Sequence, residues 1–343
     1  MQRDVRAAYY YGPGDVRLED VAEPACGEGE VKIRPRFNGL CGTDLHQYFH
    51  APVADVALPI VVGHEFAGEI VEVGPSVGRR RVGELVAVEP IWRCGWCPSC
   101  TDGFYNLCSE GRWHGLGAPG GGLSECTVVR AEMAHPVPEG VSAAQAALVE
   151  PLAVAYHAVE IGEATPRDRV VVFGAGPIGI GAFLGLRALG VEDITVVEPS
   201  PERRGAVRAV GADTVLDPLA GEVPEEIGER SGGRGASLVI DAAGSPESFT
   251  AALAVAGTRS RVVLVAAYEQ PVGFNPTQLL QREVDIRLSF AYRATFAAVI
   301  AHMTRGCYPT EGWVQQVPFD DLIDAYHRLR RREAVKLLVE VGS

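Results

Sequence analysis

The pattern of apolar and polar positions changes character near the middle of the chain. Up to residue 150, short apolar-rich runs such as 30–36, 68–73 and 84–89 are separated by turns bearing Gly and Pro. That pattern reads as a mainly β region. From about Arg169 onward, β-prone runs alternate with helical ones. Strands are predicted over 170–173, 194–198, 214–216, 237–241, 261–266 and 285–290, and helices over 177–189, 201–210, 222–230 and 246–256. Six strands with intervening helices are what a doubly wound parallel sheet requires, so the expected class is α/β. A helical pattern over 320–332 then leads into an apolar run, 335–341, suited to rejoin the N-terminal part as a strand.

Composition narrows the picture without changing it. A chain of 343 residues suits two domains rather than one core. The net charge of −13 argues against nucleic acid and against anionic membrane surfaces, because both would repel the protein. The longest apolar stretch, 177–190, is broken by Gly179, Gly181, Gly185 and Arg187, so no membrane span is expected. Arg3, Asp4 and Arg6 are followed by tyrosines rather than an apolar secretory core, and a cytoplasmic location is the default expectation. Two arginine groups, one at 203, 204 and 208 and one at 328–332, read as solvated helix faces.

Candidate chemistry begins with the run Gly174-Ala-Gly176-Pro177-Ile178-Gly179, which follows a strand and opens a helix. The first glycine permits a tight turn, the second lets backbone approach a pyrophosphate, and the third allows close packing of helix on strand. The helix N-terminus offers unpaired N–H groups to the phosphates. Glu198 ends the next strand, where a carboxylate can accept both ribose hydroxyls and would repel a 2′-phosphate. NAD is therefore expected over NADP, although Arg203 is close enough in sequence to keep NADP open.

Four of the eight cysteines, Cys94, Cys97, Cys100 and Cys108, crowd into one loop. In a reducing compartment such a cluster favours metal over disulfides. Zinc takes four thiolates as a closed tetrahedron with no position left for substrate, so this ion is expected to be structural.

Three further segments carry possible ligands: Cys41-Gly-Thr43-Asp44-Leu-His46, His64-Glu65 and Glu150. Alone, each is a modest signal, since Cys41 fits a small buried hydrophobe and His64 a core histidine. With the cysteine cluster and the glycine turn, they resemble the zinc-containing medium-chain alcohol dehydrogenases. The resemblance is to the polyol branch, which includes sorbitol and (R,R)-2,3-butanediol dehydrogenases, and it covers nearly the whole chain.

The resemblance implies a GroES-like catalytic domain over 1–152 and 292–343, carrying the structural-zinc loop, and a Rossmann domain over 153–291. It implies two zinc ions per chain. Cys41 and His64 would bind the catalytic ion, with a carboxylate, Glu65 or Glu150, as a further ligand. One thiolate, one imidazole and one carboxylate leave zinc formally neutral, and a second carboxylate would make the site anionic and fill the substrate position. Glu65 and Glu150 are therefore expected not to ligate together while alcohol is bound. Thr43 and His46 match the family's hydroxyl-to-imidazole proton relay, and Asp44 would orient His64 through its second ring nitrogen. The implied partner is a small secondary alcohol of polyol, vicinal diol or cyclitol type, oxidised to a ketone with NAD. A threonine or amino-cyclitol dehydrogenase of the same fold, or a non-catalytic zinc-binding relative, is the alternative. The family's usual assembly is a homodimer or homotetramer, for which strand 285–290 is a candidate pairing edge.

Overall fold

The computed structural model describes residues 4–52 and 57–342 and divides into two compact units. One comprises Met1–Glu150, Phe296–Thr304 and Val314–Ser343; the other comprises Pro151–Thr295 and Arg305–Trp313. Part of the segment between His46 and Gly63, residues 53–56, lies outside the described residues.

The first unit is built on a sheet whose strands run Ala134–Pro136, Leu85–Val88, Glu65–Val73, Glu30–Gly39, Lys336–Glu340 and Val314–Pro318, with Thr127–Arg130 also paired to Glu30–Gly39. A second sheet joins Asp15–Ala22, Asp4–Gly12 and Ile60–Val61. Val31, Ile33, Phe66, Ile70, Val86 and Val88 point inward from three adjacent strands and form one core. A second core gathers Tyr10, Leu40, Tyr48, Phe319, Tyr326 and Leu337. The apolar run 335–341 does rejoin this unit. Its strand Lys336–Glu340 is buried at four of five positions and lies antiparallel to Glu30–Gly39 and parallel to Val314–Pro318.

The second unit is a six-stranded sheet in the order Thr214–Leu216, Ile194–Val197, Val170–Phe173, Ala236–Asp241, Ala256–Leu264, Asp285–Leu288. Every pairing is parallel. Numbered from the first strand of this unit, the order is 3-2-1-4-5-6, the doubly wound arrangement. Val170–Phe173 and Ile194–Val197 are buried throughout, as strands covered on both faces must be. The strand order reverses between Val170–Phe173 and Ala236–Asp241, so Phe173 lies beside Asp241 at the carboxyl edge where such sheets bind ligands.

Some elements differ from expectation. The fifth strand starts at Ala256 rather than 261, because the register shifts between Ala236 and Leu238 and admits a polar stretch that hides the alternation. The sixth ends at Leu288, and the last helix, expected over 320–332, is Leu322–Arg330 after a short 3₁₀ turn at Phe319–Asp321. Residues Arg305–Trp313 belong with the second unit, so the span 292–343 is not one piece of the first. Tyr308, from that segment, is buried in the second unit with its hydroxyl beside Gly185. Among the described residues, no helix is long and apolar enough to cross a membrane.

Candidate active site

Strand Glu30–Gly39 ends just before Cys41, which caps helix Gly42–Phe49. The Asp44 carboxylate turns back to accept the Cys41 N–H at 2.8 Å, satisfying one of the helix's orphan donors. Its other oxygen lies 3.4 Å from His64 Nδ1, inside the protein, and neither atom has a hydrogen-bond partner. Thr43 Oγ1 is 3.6 Å from Cys41 Sγ. Burial alone would lower the His64 pKa, but the neighbouring Asp44 and Cys41 outweigh it and raise the value well above the ordinary range.

Glu65 opens strand Glu65–Val73 opposite Gly39. A Cβ at position 39 would collide with the Glu65 carboxylate, which is why this position takes glycine. One ligand atom each from Cys41, His64 and Glu65 lies within 4.8 Å of the others. A thiolate, an imidazole and a carboxylate converging in this way are donors of the kind that could hold a zinc ion. Asp44 Oδ1, 3.4 Å from His64 Nδ1, occupies that side of the ring and leaves Nε2 as the nitrogen available to an ion. Glu150 stands outside this group of three. It is buried in the first turn of helix Val149–Ile161, an element the strand-and-turn pattern did not suggest.

Lys336 was not anticipated. Its side chain is almost wholly buried, it donates to the Leu40 carbonyl at 2.9 Å, and it forms an ion pair with Glu65 Oε2. Burial would lower its pKa, yet the charges of Glu65, Cys41 and Glu150 hold it above the ordinary lysine value. The signal was a single lysine within the apolar run Ala334-Val-Lys336-Leu-Leu-Val. A cation in a strand buried on both faces calls for a counter-charge.

His46 is exposed on the same helix as Cys41, and its ring neighbours that of His50.

The four-cysteine loop closes on itself. Sulfur–sulfur distances of 3.9 Å for Cys94–Cys100, 3.8 Å for Cys97–Cys108 and 3.6 Å for Cys94–Cys108 are near the tetrahedral edge of about 3.8 Å that zinc–sulfur bonds of about 2.3 Å impose. The N–H groups of Trp96 and Cys97 point at Cys94 Sγ, and that of Cys94 at Cys108 Sγ. Backbone N–H groups of Cys100 and Ser109 lower the Cys97 pKa. Glu89 ties the loop to the sheet by accepting from Tyr105 OH and lying against His135 Nε2, both at 2.7 Å.

In the second unit, Gly174 has φ +92°, a left-handed conformation suited to glycine. Gly179 packs against the Gly174 carbonyl with no room for a side chain. Gly176 caps helix Pro177–Ala188, with Pro177 at its first position and Ile178 following. Glu198 Oε2 accepts the Ala175 N–H at 2.7 Å and Oε1 the Ser200 N–H at 2.9 Å. In this structure Glu198 braces the glycine turn. Arg203 reaches the turn, its guanidinium 3.8 Å from where a Cβ on Gly176 would sit. Arg204 is engaged elsewhere, with Asp217 and the Glu198 and Pro199 carbonyls.

Asp241, fully buried beside Phe173, was also missed. It accepts from the Ala243 and Gly244 N–H groups, from Ser248 Oγ and from Tyr268 OH at 2.6 Å, drawing together the loops at the carboxyl edge of the sheet. An acid closing an apolar strand at 241 was the available signal.

A doubly wound nucleotide unit, with a thiolate–imidazole–carboxylate cluster and a closed four-thiolate loop in the other unit, defines the class of metal-assisted, nucleotide-dependent oxidoreductases. Comparison with known proteins agrees. Residues 27–139 match the alcohol dehydrogenase GroES-like domain and residues 177–305 the zinc-binding dehydrogenase domain. (R,R)-butanediol dehydrogenase of Bacillus subtilis is 34% identical, with 98% of this chain and 99% of that protein aligned. Its crystal structure superposes with a TM-score of 0.92 over 98% of this chain and all of that one. Sorbitol dehydrogenase of Bombyx mori is also 34% identical, over 98% and 99% of the two chains. An Escherichia coli alcohol dehydrogenase solved with NADH is 30% identical, with a TM-score of 0.91 over 98% and 99%. The chain belongs to the zinc-containing medium-chain alcohol dehydrogenase family, in its polyol branch. It is an oxidoreductase acting on the CH–OH group of secondary alcohols.

Proposed function

We propose that this enzyme oxidises a vicinal diol or polyol to a ketone with NAD, holding one zinc at Cys41, His64 and Glu65 and a second at Cys94, Cys97, Cys100 and Cys108. The observation that carries the catalytic assignment is the convergence of Cys41, His64 and Glu65 within 4.8 Å. Zinc held there supplies Lewis-acid polarisation of the alcohol oxygen, and NAD supplies the hydride acceptor.

The chain's own residues do the rest. Asp44 orients His64 and fixes the helix that carries Cys41. The Thr43 hydroxyl accepts the substrate proton as it releases its own towards the cofactor ribose, and His46, exposed one turn further along, takes the relayed proton and passes it to water. Lys336 alters the earlier charge count. One thiolate and two carboxylates, set against a dication and an ammonium, sum to zero, so Glu150 can stay ionised close by without making the site anionic. Its role is then to hold water or to exchange with Glu65 rather than to act as a permanent ligand.

The preference for NAD is supported by Glu198, whose oxygens accept the Ala175 and Ser200 N–H groups beside the glycine turn and would repel a 2′-phosphate. Gly174, Gly176, Pro177, Ile178 and Gly179 receive the pyrophosphate, with Arg203 beside them. Assembly is proposed to be a homodimer or homotetramer, using the outer strand Asp285–Leu288, which exposes Leu288 and is followed by exposed Phe290.

A panel of vicinal diols, polyols, cyclitols and amino alcohols, each offered NAD and NADP, tests the reading. Reduction of NAD by diols or polyols, with two zinc ions per chain falling to one in Cys41→Ala, is expected. Full zinc retention in Cys41→Ala would refute the catalytic assignment.

A further inference from the structure

Helix Gly42–Phe49 presents two exposed histidines four residues apart, His46 and, at its C-terminal cap, His50. The His50 N–H donates to the His46 carbonyl at 2.9 Å and closes the last turn, although His50 itself leaves helical geometry at φ −128°, ψ −71°. Their ring centroids are 5.4 Å apart with the planes inclined by 41°. Among the described residues neither ring is engaged in a hydrogen bond or an ion pair, so each keeps a nitrogen lone pair for an outside ligand.

The spacing is that of a chelate. An ion about 2.0 Å from an imidazole nitrogen lies about 3.2 Å from that ring's centroid. Two rings on one ion then have centroids about 4.5–5.3 Å apart for bond angles between octahedral and tetrahedral. The observed 5.4 Å needs only a small rotation of either ring. Two histidines at this helical spacing are also the arrangement by which helix-borne zinc sites are made. Imidazole pairs favour nickel, copper and zinc over magnesium or calcium, and water completes the coordination at an exposed site.

We propose that His46 and His50 form a third metal site, taking a borderline divalent cation, and that its occupancy withdraws His46 from proton transfer. The ion binds the lone pair that would accept the proton, so metal and proton compete for one nitrogen. The binding half stands on the histidine pair alone; the inhibitory half rests on the relay role proposed for His46.

Nickel chloride titrated calorimetrically into the zinc-replete enzyme, with zinc assayed in the same samples, tests both halves. One nickel per chain is expected to bind without release of zinc. Loss of even an outer partner of a metal ligand costs about 10–100-fold in affinity, so His50→Gln and His46→Gln should each weaken nickel binding by at least about tenfold. Wild-type turnover should fall saturably over the same nickel range, while His50→Gln keeps its own metal-free rate. Unchanged nickel affinity in His50→Gln, or release of zinc in step with inhibition, would overturn the site. Binding lost in His50→Gln with inhibition undiminished would overturn the relay half and leave the site standing.

Discussion

The Lys336 ammonium is buried against the Glu65 carboxylate, a pairing that joins strands 271 residues apart in sequence. Removing one member of a buried ion pair strands the other charge and typically costs about 3–5 kcal/mol. Lys336→Met is expected to destabilise the first unit by that order, with Lys336→Arg losing less. The double variant Glu65→Gln, Lys336→Met should recover part of the loss. Urea unfolding of the four proteins checks this, and a double variant no better than Lys336→Met would show that the charges are uncoupled.

The two carboxylates should separate by metal content. Glu65→Gln is expected to lose the zinc of the Cys41 cluster on dialysis, whereas Glu150→Gln keeps most of it and loses turnover. Metal analysis after dialysis decides between them. Equal zinc loss would make both carboxylates standing ligands.

His46→Gln removes the imidazole but no ligand of the Cys41 cluster or of the four-cysteine loop. Turnover is expected to fall most at the lower end of the working pH range, where proton release to solvent has least driving force, with two zinc ions retained. A uniform loss across pH would assign His46 a structural part. The measurement is kcat against pH beside metal analysis.

Cys108→Ser opens the four-thiolate loop. One zinc should be lost and the melting temperature lowered, while NAD titration of the other unit is unchanged. Trp96, 71% exposed beside Cys94 and Cys97, reports on the loop through the difference in emission between the protein and its Trp96→Phe variant, since the chain holds four tryptophans. Unaltered Trp96 emission after zinc loss would mean that the loop holds its shape without metal.

Acid stability should depend on Asp168. Burial pushes its carboxyl up, but Ser237, the N–H and hydroxyl of Thr165, and Arg261 outweigh this and hold it below the ordinary value. A depressed folded pKa contributes stability above the unfolded value of about 3.9 that is lost as pH falls through the folded one. The stability gap between wild type and Asp168→Asn is therefore expected to be full at neutral pH and to close below about pH 4. Chemical unfolding at stepped pH checks it, and a constant gap would contradict the assignment.

What could be seen in the sequence was chemistry held in short stretches. The glycine turn, its distal acid Glu198 and the four cysteines each sit within a run whose spacing has one physical use. Cys41 and His64 needed the family pattern, because each alone passes for a core residue. Lys336 and Asp241 were hidden for a different reason. Glu65 reaches Lys336 from the far side of the intervening strand Glu30–Gly39, and Tyr268 reaches Asp241 from a separate loop, placements that local alternation does not record. Glu198 was anticipated at the ribose but not as the brace of Ala175, since a backbone N–H has no letter in the sequence. The early start of strand Ala256–Leu264 escaped because its bulged residues are polar.

The strand that brings Lys336 to Glu65 has a consequence for how the protein is made. At translation speeds of about 5–20 residues per second, some 14–54 seconds separate the synthesis of these two residues. During nearly all of that interval the central sheet lacks both Val314–Pro318 and Lys336–Glu340, and Glu65 has no counter-ion. Cys41, His64 and Glu65 are all present by then, so an ion can meet them before Lys336 arrives. Ribosome-stalled chains ending before and after position 336 should accordingly differ in how readily they surrender zinc to a chelator, making metal loading a question of timing as well as affinity.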